Sequence, residues 1–220
     1  MQRLDRLALA DPDTITDLRT LLGRARTVQD GEVALVARGQ ALAVYVPALV
    51  PEGLGSGTPT VLGMRAFRLA ESAEGTWVFP LGAVTDRLAR MSPLDTVLQL
   101  PPAETPASWA GVLPPIGSWE DLGEYDAEAL RAVAESGMRA VAEALPANSG
   151  RPVVASVRSR VWAAPCELKP VPELPAGAAF AAQTLGFLPP AGPVKVLRSG
   201  LWHRLSTAAG QVLVRQGAAL

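Results

Sequence analysis

A dense run of prolines interrupts the sequence near its middle. Residues 100–117 contain five of them, Pro101, Pro102, Pro106, Pro114 and Pro115. Proline lacks a backbone N–H and fixes φ, so this stretch cannot form a regular helix or a central strand. The sequence therefore predicts a connector at residues 101–117 between an N-terminal half, residues 1–100, and a C-terminal half, residues 118–220. Trp109 indicates that the connector packs against the protein, as two interlocked halves or one continuous domain.

Apolar residues at helical spacing predict about four helices. The pair Asp11-Pro12 is a favourable N-cap and first residue for a helix over 13–28. The longest apolar stripe lies C-terminal to Asp126, and charged residues of alternating sign follow another line of the same helix. This helix is predicted over Asp126–Leu145. The two remaining predicted helices are Leu81–Met91 and Ala176–Leu188.

β-Prone segments between turn residues predict the strands. Gly39-Gln40 is predicted to be a hairpin turn between Glu32–Arg38 and Ala41–Val46. A turn at Glu74-Gly75 is predicted to join two further strands, Thr60–Leu69 and Thr76–Phe79. The remaining predicted strands are Thr96–Leu100, Pro152–Trp162, Val194–Leu197, Leu201–Ser206 and Gln211–Arg215. Because helices and strands follow in irregular order, we expect an α+β fold of mainly antiparallel sheet segments.

Composition supports a folded protein and limits its compartment. Hydrophobic residues make up 49% of the chain and the net charge is -1, so a sizeable core can form. A single cysteine excludes an intrachain disulfide, and the first residues lack the apolar stretch of a signal peptide. The uncharged stretch 174–194 contains prolines that limit its helix to roughly 20 Å, short of the ~30 Å bilayer core. We expect a cytoplasmic protein with no membrane partner; arginine in place of lysine is typical of a GC-rich, bacterial genome.

The scarcity of histidine and cysteine excludes several chemistries. With one of each, His203 and Cys166, the chain cannot build a zinc site of the usual Cys/His kind. A serine triad would require His203, which alternates with Leu201 and Leu205 and is therefore expected to point toward the core. Cys166 precedes Glu167, whose charge disfavours the reactive thiolate. We therefore predict that any catalysis does not depend on either residue, and we expect no metal and no cofactor.

Two further segments resemble ligand sites only superficially. The glycines of 53–57 could suggest a phosphate loop, but Thr58-Pro59 and a predicted strand follow them where a helix would be needed. The acidic run between Glu120 and Glu128 lacks the spacing of a calcium-binding loop. We interpret the first segment as a surface loop and the second as a solvated helix start.

Charge is unevenly distributed along the chain. Residues 1–90 carry 10 basic and 10 acidic groups, residues 91–150 carry 2 and 9, and residues 151–220 carry 8 and 2. Arginines combined with tryptophans are typical of surfaces that bind anions or single-stranded nucleic acid. The candidate face in the basic third consists of Arg158, Arg160, Trp162, Trp202 and Arg204. The alternative is that these arginines and Arg198 complement the acidic segment 118–128.

Together, these observations predict a non-catalytic interaction or accessory protein that forms a homo-oligomer, with a symmetric dimer as the commonest closed assembly. A protein partner fits this prediction better than a nucleic acid. Two alternatives remain open. One is a nucleic-acid or anion binder that uses the candidate face. The other is an enzyme or small-molecule binder whose carboxylate or arginine site the sequence does not reveal.

Overall fold

The computed structural model describes residues 4–51, 57–146 and 150–217. Within these residues it contains five α-helices and eight strands in antiparallel sheets, with 34% helix and 35% strand. The predicted α+β class is thereby confirmed, and the number of helices is near the expected four. The chain divides into two compact units, residues 1–47 with 64–113, and residues 48–63 with 114–220.

The first unit contains most of two long neighbouring strands, together with two helices. The elements that begin in residues 1–113 are β1 (Arg6–Ala8), α1 (Pro12–Val28), β2 (Glu32–Leu49), β3 (Thr60–Pro80), α2 (Leu81–Arg90), β4 (Val97–Gln99) and a 3₁₀ turn (Ser108–Gly111). Strands β1 and β4 form a small antiparallel sheet in which Arg6 lies opposite Gln99 and Ala8 lies opposite Val97.

The second unit places three helices beside a meander of strands. Its elements are β5 (Glu120–Asp126), α3 (Ala127–Ala144), α4 (Arg151–Ala163), α5 (Ala176–Thr184), β6 (Pro193–Ser199), β7 (Trp202–Ser206) and β8 (Gln211–Arg215). The end of β2 and the start of β3 also belong to this unit. The order of the larger sheet is β2-β3-β8-β7-β6-β5, so β2 and β5 are its edge strands. None of the described helices combines the length and the apolar character needed to cross a bilayer.

Helices form where the sequence supplies a start signal. The Asp11 carboxylate accepts a hydrogen bond from the N–H of Thr14 at 2.7 Å, and Asp126 does the same for Ala129 at 3.0 Å. Each bond satisfies a backbone donor that the first helical turn leaves free. Helices α1, α2, α3 and α5 thus lie within a few residues of their predicted positions, and so do the three C-terminal strands.

The hairpin predicted at Gly39-Gln40 fits the structure. A Cβ on Gly31, just before β2, would lie 3.9 Å from Cγ of Pro47 near the other end of β2, so the chain reverses direction within this segment. Gly39 has a positive φ of 57° and Gln40 does not, a combination that a type II′ turn allows. The Gly39 N–H donates a hydrogen bond to the Glu74 carboxylate of β3 at 2.8 Å. At Gly75 a side chain would collide with the indole of Trp77, so this glycine makes room for packing within β3.

The predicted strand Pro152–Trp162 is also wrong, since these residues form α4. Proline is compatible with the first turn of a helix, where its missing N–H is not needed. Val157 and Trp162 are both buried, although a strand would place residues five apart on opposite faces. Strand β5 was not predicted either, because the acidic run was interpreted as the start of α3.

Trp162 is the central packing residue of the helices in the second unit. Its ring is 2% exposed and stacks on Phe180 of α5, with centroids 4.2 Å apart and an interplanar angle of 21°. A Cβ at Gly137 of α3 would collide with the same indole. The absence of a side chain at Gly137 therefore allows α3 to approach Trp162 of α4 closely.

This contact predicts opposite effects for two helical glycines. We expect Gly137→Ala to lower the free energy of unfolding by about 1–3 kcal/mol, because overpacking outweighs the gain in helix propensity. Gly23→Ala in α1, where an added methyl meets nothing within 4 Å, should instead raise it by up to about 1 kcal/mol. Urea unfolding followed by circular dichroism measures both, and equal stability of the two variants would contradict the packing described for Trp162.

Candidate interaction surfaces

The three candidate residues of α4 do not share one face. Trp162 is buried, and the Arg158 guanidinium lies over the Phe180 ring, 5.5 Å from its centroid. Arg158 is half-buried, and burial lowers the pKa of its guanidinium. Arg160 is exposed. Because α4 is a helix, its arginines are separated around its axis, and the aromatic ring expected beside them belongs to the core.

The two candidate residues of β7 do lie on one face of the sheet. Trp202 and Arg204 are two positions apart in the same strand, which places their side chains on the same side. Trp202 is only 5% exposed. Arg204 lies over the ring of Trp119, 4.4 Å from its centroid. Desolvation at this position lowers the pKa of Arg204. The pair Arg204–Trp119 was not anticipated, because Trp119 precedes β5 in a stretch without periodicity.

One predicted charge contact is present. Arg198 of β6 donates two hydrogen bonds to Glu120 of β5, from Nε at 3.2 Å and from a terminal nitrogen at 2.8 Å. The two residues are partners in the antiparallel ladder. Their side chains are 49% and 61% exposed, so the pair contributes little to stability. Arg198 thus contacts the acidic segment, as the charge distribution predicted. The guanidinium groups of Arg158 and Arg204 instead lie over aromatic rings.

Neither reactive side chain lies in an open site. His203 of β7 pairs with Arg198 and Val214 across the sheet, and its Nδ1 is buried with no hydrogen-bond partner. Burial lowers the pKa of His203. The expectation that Leu201 lies in the core beside it is wrong, since Leu201 is 70% exposed in the β6–β7 turn.

Cys166 is enclosed in the second unit. The Tyr125 hydroxyl donates to the carbonyl of Val171 at 2.6 Å, and the Cys166 sulfur lies 4.0 Å from that hydroxyl. Burial raises the pKa of Tyr125 above its ordinary value. Among the described residues, no group of three or more His, Cys, Asp or Glu side chains is arranged to hold a metal ion. Of the glycine-rich segment, residues 53–56 lie outside the described residues.

An open cavity of about 600 Å³ lies in the first unit, between the end of α2 and β4. Arg87 and Arg90 of α2 line it, together with Leu94 of the following loop and Val97 of β4, which are 83% and 38% exposed. Neither arginine forms an ion pair with a described residue, and Nε of Arg87 is buried without a hydrogen-bond partner. Asp95 also lines the cavity. The site therefore presents positive charge and apolar surface side by side.

The two edges of the larger sheet differ in chemistry. Strand β5 carries four carboxylates, Glu120, Asp121, Glu124 and Asp126, and a bulge between Asp121 and Gly123 interrupts its ladder. Charges and bulges are features that prevent an edge from pairing. Strand β2 is 18 residues long and has no charged side chain between Gly39 and Leu49. Among the described strands, β2 pairs with β3 alone.

Sequence comparisons identify two domains. Residues 2–111 match a family model described as a domain of unknown function, DUF8010, and residues 114–219 match a second domain of unknown function, DUF8185. No curated protein matches the sequence.

Solved structures of sliding clamps resemble the chain. The DnaN sliding clamp (DNA polymerase III subunit beta) from Bartonella birtlesii, bound to griselimycin, matches with a TM-score of 0.52 and 11% identity, over 98% of this chain and 65% of the clamp chain. The DNA polymerase sliding clamp from Bacillus subtilis matches with a TM-score of 0.53 and 8% identity, over 97% and 64%. The chain spans less than two thirds of either clamp, and at these identities the likeness concerns the fold alone.

The environment of His203 predicts how stability depends on pH. Since burial lowers its pKa below the ordinary 6.5, the unfolded chain takes up a proton at a higher pH than the folded one. Its contribution to stability is therefore present above pH 6.5 and is lost as pH falls below that value.

A chain with one histidine gives one imidazole Cε1 proton signal, so NMR can follow this group directly. We expect a titration midpoint below 6.5 in the folded protein and near 6.5 in urea. The His203→Gln variant should lose less stability than the wild type between pH 7 and pH 5.5. A folded midpoint at or above 6.5 would show that the imidazole is not desolvated.

Proposed function

The chain belongs to the DUF8010 family, and from this premise, together with the place of β2 at one end of the larger sheet, we propose that it is a non-catalytic interaction protein that self-associates. It has the fold of the sliding clamps, and we assign it an accessory role in which binding surfaces, with no reaction centre, carry the function. A cytoplasmic location and a bacterial source are part of the same proposal. So is the predicted division into halves at residues 101–117.

The observation that carries the proposal is the order of the larger sheet, in which β2 stands at one end, together with the exposed residues Arg38, Gln40 and Ala41 of β2. An edge strand exposes backbone N–H and C=O groups that can pair with a strand of another chain. Gln40 and Ala41 are exposed and uncharged, so they do not oppose such pairing, whereas β5 is acidic and bulged. Residues 44–49 are buried, so pairing with another chain would be limited to the exposed part of β2. Self-association therefore uses β2, and not the chain-terminal strands, which lie inside the sheet.

The enclosed reactive groups support a non-catalytic role. Neither His203 nor Cys166 is among the residues that line the described cavity. A general base or nucleophile must reach the reacting atoms directly or through one water. We therefore assign the cavity a binding role.

The resemblance to the sliding-clamp fold also supports an accessory role within a larger protein assembly. The Bartonella birtlesii protein is a DNA polymerase III subunit beta, seen bound to griselimycin, and the Bacillus subtilis protein is a DNA polymerase sliding clamp. Because the chain spans 65% of the first clamp, we transfer only the accessory character to it, and no individual partner.

A second candidate function is nucleic-acid binding. The helices of the first unit are a better candidate for the binding surface than the face predicted in the second unit. Helices α1 and α2 together carry five arginines and three aspartates. Of these aspartates, Asp17 is paired with Arg65 at 2.6 Å. The two helices are neighbours, since Arg19 donates to the Leu88 carbonyl and Arg26 donates to the Thr85 hydroxyl. Their arginines are thus gathered on one pair of helices, where phosphates could be neutralised.

The proposed self-association predicts a position-dependent effect of added charge. Ala41 of β2 and Ala66 of β3 are both exposed alanines in strands of the same unit. We expect Ala41→Lys to weaken self-association at least about tenfold, because a charge on the edge strand opposes pairing. The matched control, Ala66→Lys on the interior strand, should associate like the wild type. Light scattering and sedimentation velocity measure both. A monomeric wild type at tens of micromolar would refute the proposal, and so would an equal effect of the two variants.

The second function makes a separate prediction. If α1 and α2 bind the nucleic-acid backbone, a fluorescein-labelled DNA duplex should bind with an affinity that falls steeply as salt rises. The variant Arg24→Gln/Arg26→Gln should then weaken binding and reduce the salt slope by about two. Arg68→Gln on β3 is the control and should change little. Binding that is absent at low salt, or equally weakened by the control, would remove this candidate.

A further inference from the structure

The cavity between α2 and β4 combines three features that point to one kind of ligand. Two arginines supply positive charge, Leu94 and Val97 supply exposed apolar surface, and β4 supplies a strand edge. We propose that this cavity binds an extended, acidic peptide segment of a partner protein, which adds to β4 as a third strand. The inference names a partner class for the interaction role proposed above, but it does not require self-association.

The backbone of β4 is paired on one side only. The Leu9 N–H donates to the carbonyl of Thr96 at 2.8 Å, and the Leu100 N–H donates to the carbonyl of Asp5 at 2.7 Å. Hydrogen-bonding direction alternates along an antiparallel strand, so the N–H and C=O of Val97 point away from β1. The same holds for Gln99, and both residues line the cavity. A peptide that lies along β4 can therefore make main-chain bonds, as in β-strand addition.

The charges of the cavity select an acidic peptide. Arg87 and Arg90 lie in the last turn of α2, where the negative end of the helix dipole favours cations. Within the described part of the chain neither guanidinium is paired with a carboxylate, and the buried Nε of Arg87 lacks an acceptor. The Asp95 carboxylate accepts the Ser92 N–H at 2.7 Å, which ties it to its own loop. Glutamate or aspartate side chains of a partner would supply the missing acceptors.

The apolar residues favour a peptide over a nucleic acid. Leu94 is 83% exposed and stands beside Val97 and Met91 on the wall of the cavity. Clustered exposed apolar side chains are characteristic of protein interaction sites. A phosphate backbone would use the arginines but would leave Leu94 in water. The volume of about 600 Å³ suits a few side chains, in the range of small binding sites.

The test begins with a random dodecapeptide phage library panned against the immobilised full-length protein. The enriched consensus is then synthesised with a fluorescein label, and its binding is followed by fluorescence anisotropy. We expect a consensus that alternates acidic and apolar residues. Arg87→Gln and Arg90→Gln should each weaken its binding about tenfold, since each removes a charge-assisted contact. Arg68→Gln, an exposed arginine of β3 in the same unit, is the matched control and should bind like the wild type.

A second variant tests the strand edge by itself. Val97→Pro removes the N–H that points away from β1 but leaves the bonds of Thr96 and Leu100 to β1 in place. It should weaken peptide binding about tenfold, with a circular dichroism spectrum and melting temperature close to those of the wild type. Leu94→Ser, on the exposed loop, provides a variant that leaves the backbone unchanged and should also weaken binding.

Several outcomes would overturn the inference. No enriched consensus, a basic consensus, or binding unaffected by both arginine variants would each do so. Displacement of the peptide by an equal concentration of oligo-dT in an arginine-dependent manner would assign the cavity to nucleic acid instead. The Ala41→Lys variant separates this inference from the proposed self-association. It should bind the peptide as the wild type does, so a loss of peptide binding in that variant would contradict the independence of the two surfaces.

Discussion

A strand has backbone hydrogen-bonding groups on both edges, and β2 stands at one end of the larger sheet, with Arg38, Gln40 and Ala41 exposed. Backbone groups that have no partner in the sheet must form hydrogen bonds with water or with another chain. At the opposite end of the sheet, β5 meets the same constraint with carboxylates and a bulge. The uncharged segment of β2 from Gly39 to Leu49 has neither feature. The difference between the two edges is what directs self-association to β2.

The sequence predicted the fold best where short-range signals decide the structure. The carboxylates of Asp11 and Asp126 cap their helices by bonds to residues three positions ahead, so local sequence was sufficient there. The reversal of the chain at Gly39-Gln40 was likewise predictable, because a glycine turn between two β-prone segments is a local signal. The strand predicted for residues 152–162 was wrong, because the stacking of Trp162 on Phe180 favours a helix there. No local sequence pattern reveals that tertiary contact.

The candidate site could be predicted only in part. Trp202 and Arg204 share a face, as strand alternation requires, but Trp202 is buried and the ring beside Arg204 is that of Trp119. Whether an aromatic ring is available to a ligand depends on tertiary packing, which composition does not determine. The cavity beside Arg87 was missed because a loop and a three-residue strand form it, and neither gives a periodic signal. The only sign of the cavity in the sequence was the presence of two arginines in the last turn of a predicted helix.

Hydrogen exchange of the β2 amides tests the central claim most directly. The outward amides of β2 are those of its exposed segment 38–41 that lack an acceptor within the chain, and the inward amides are those of its buried residues. If chains associate through β2, the outward amides should exchange rapidly in dilute solution and slowly at high protein concentration, while the inward amides stay protected throughout. Outward amides that exchange at the same rate at every concentration, in a sample that light scattering shows to be associated, would contradict the account.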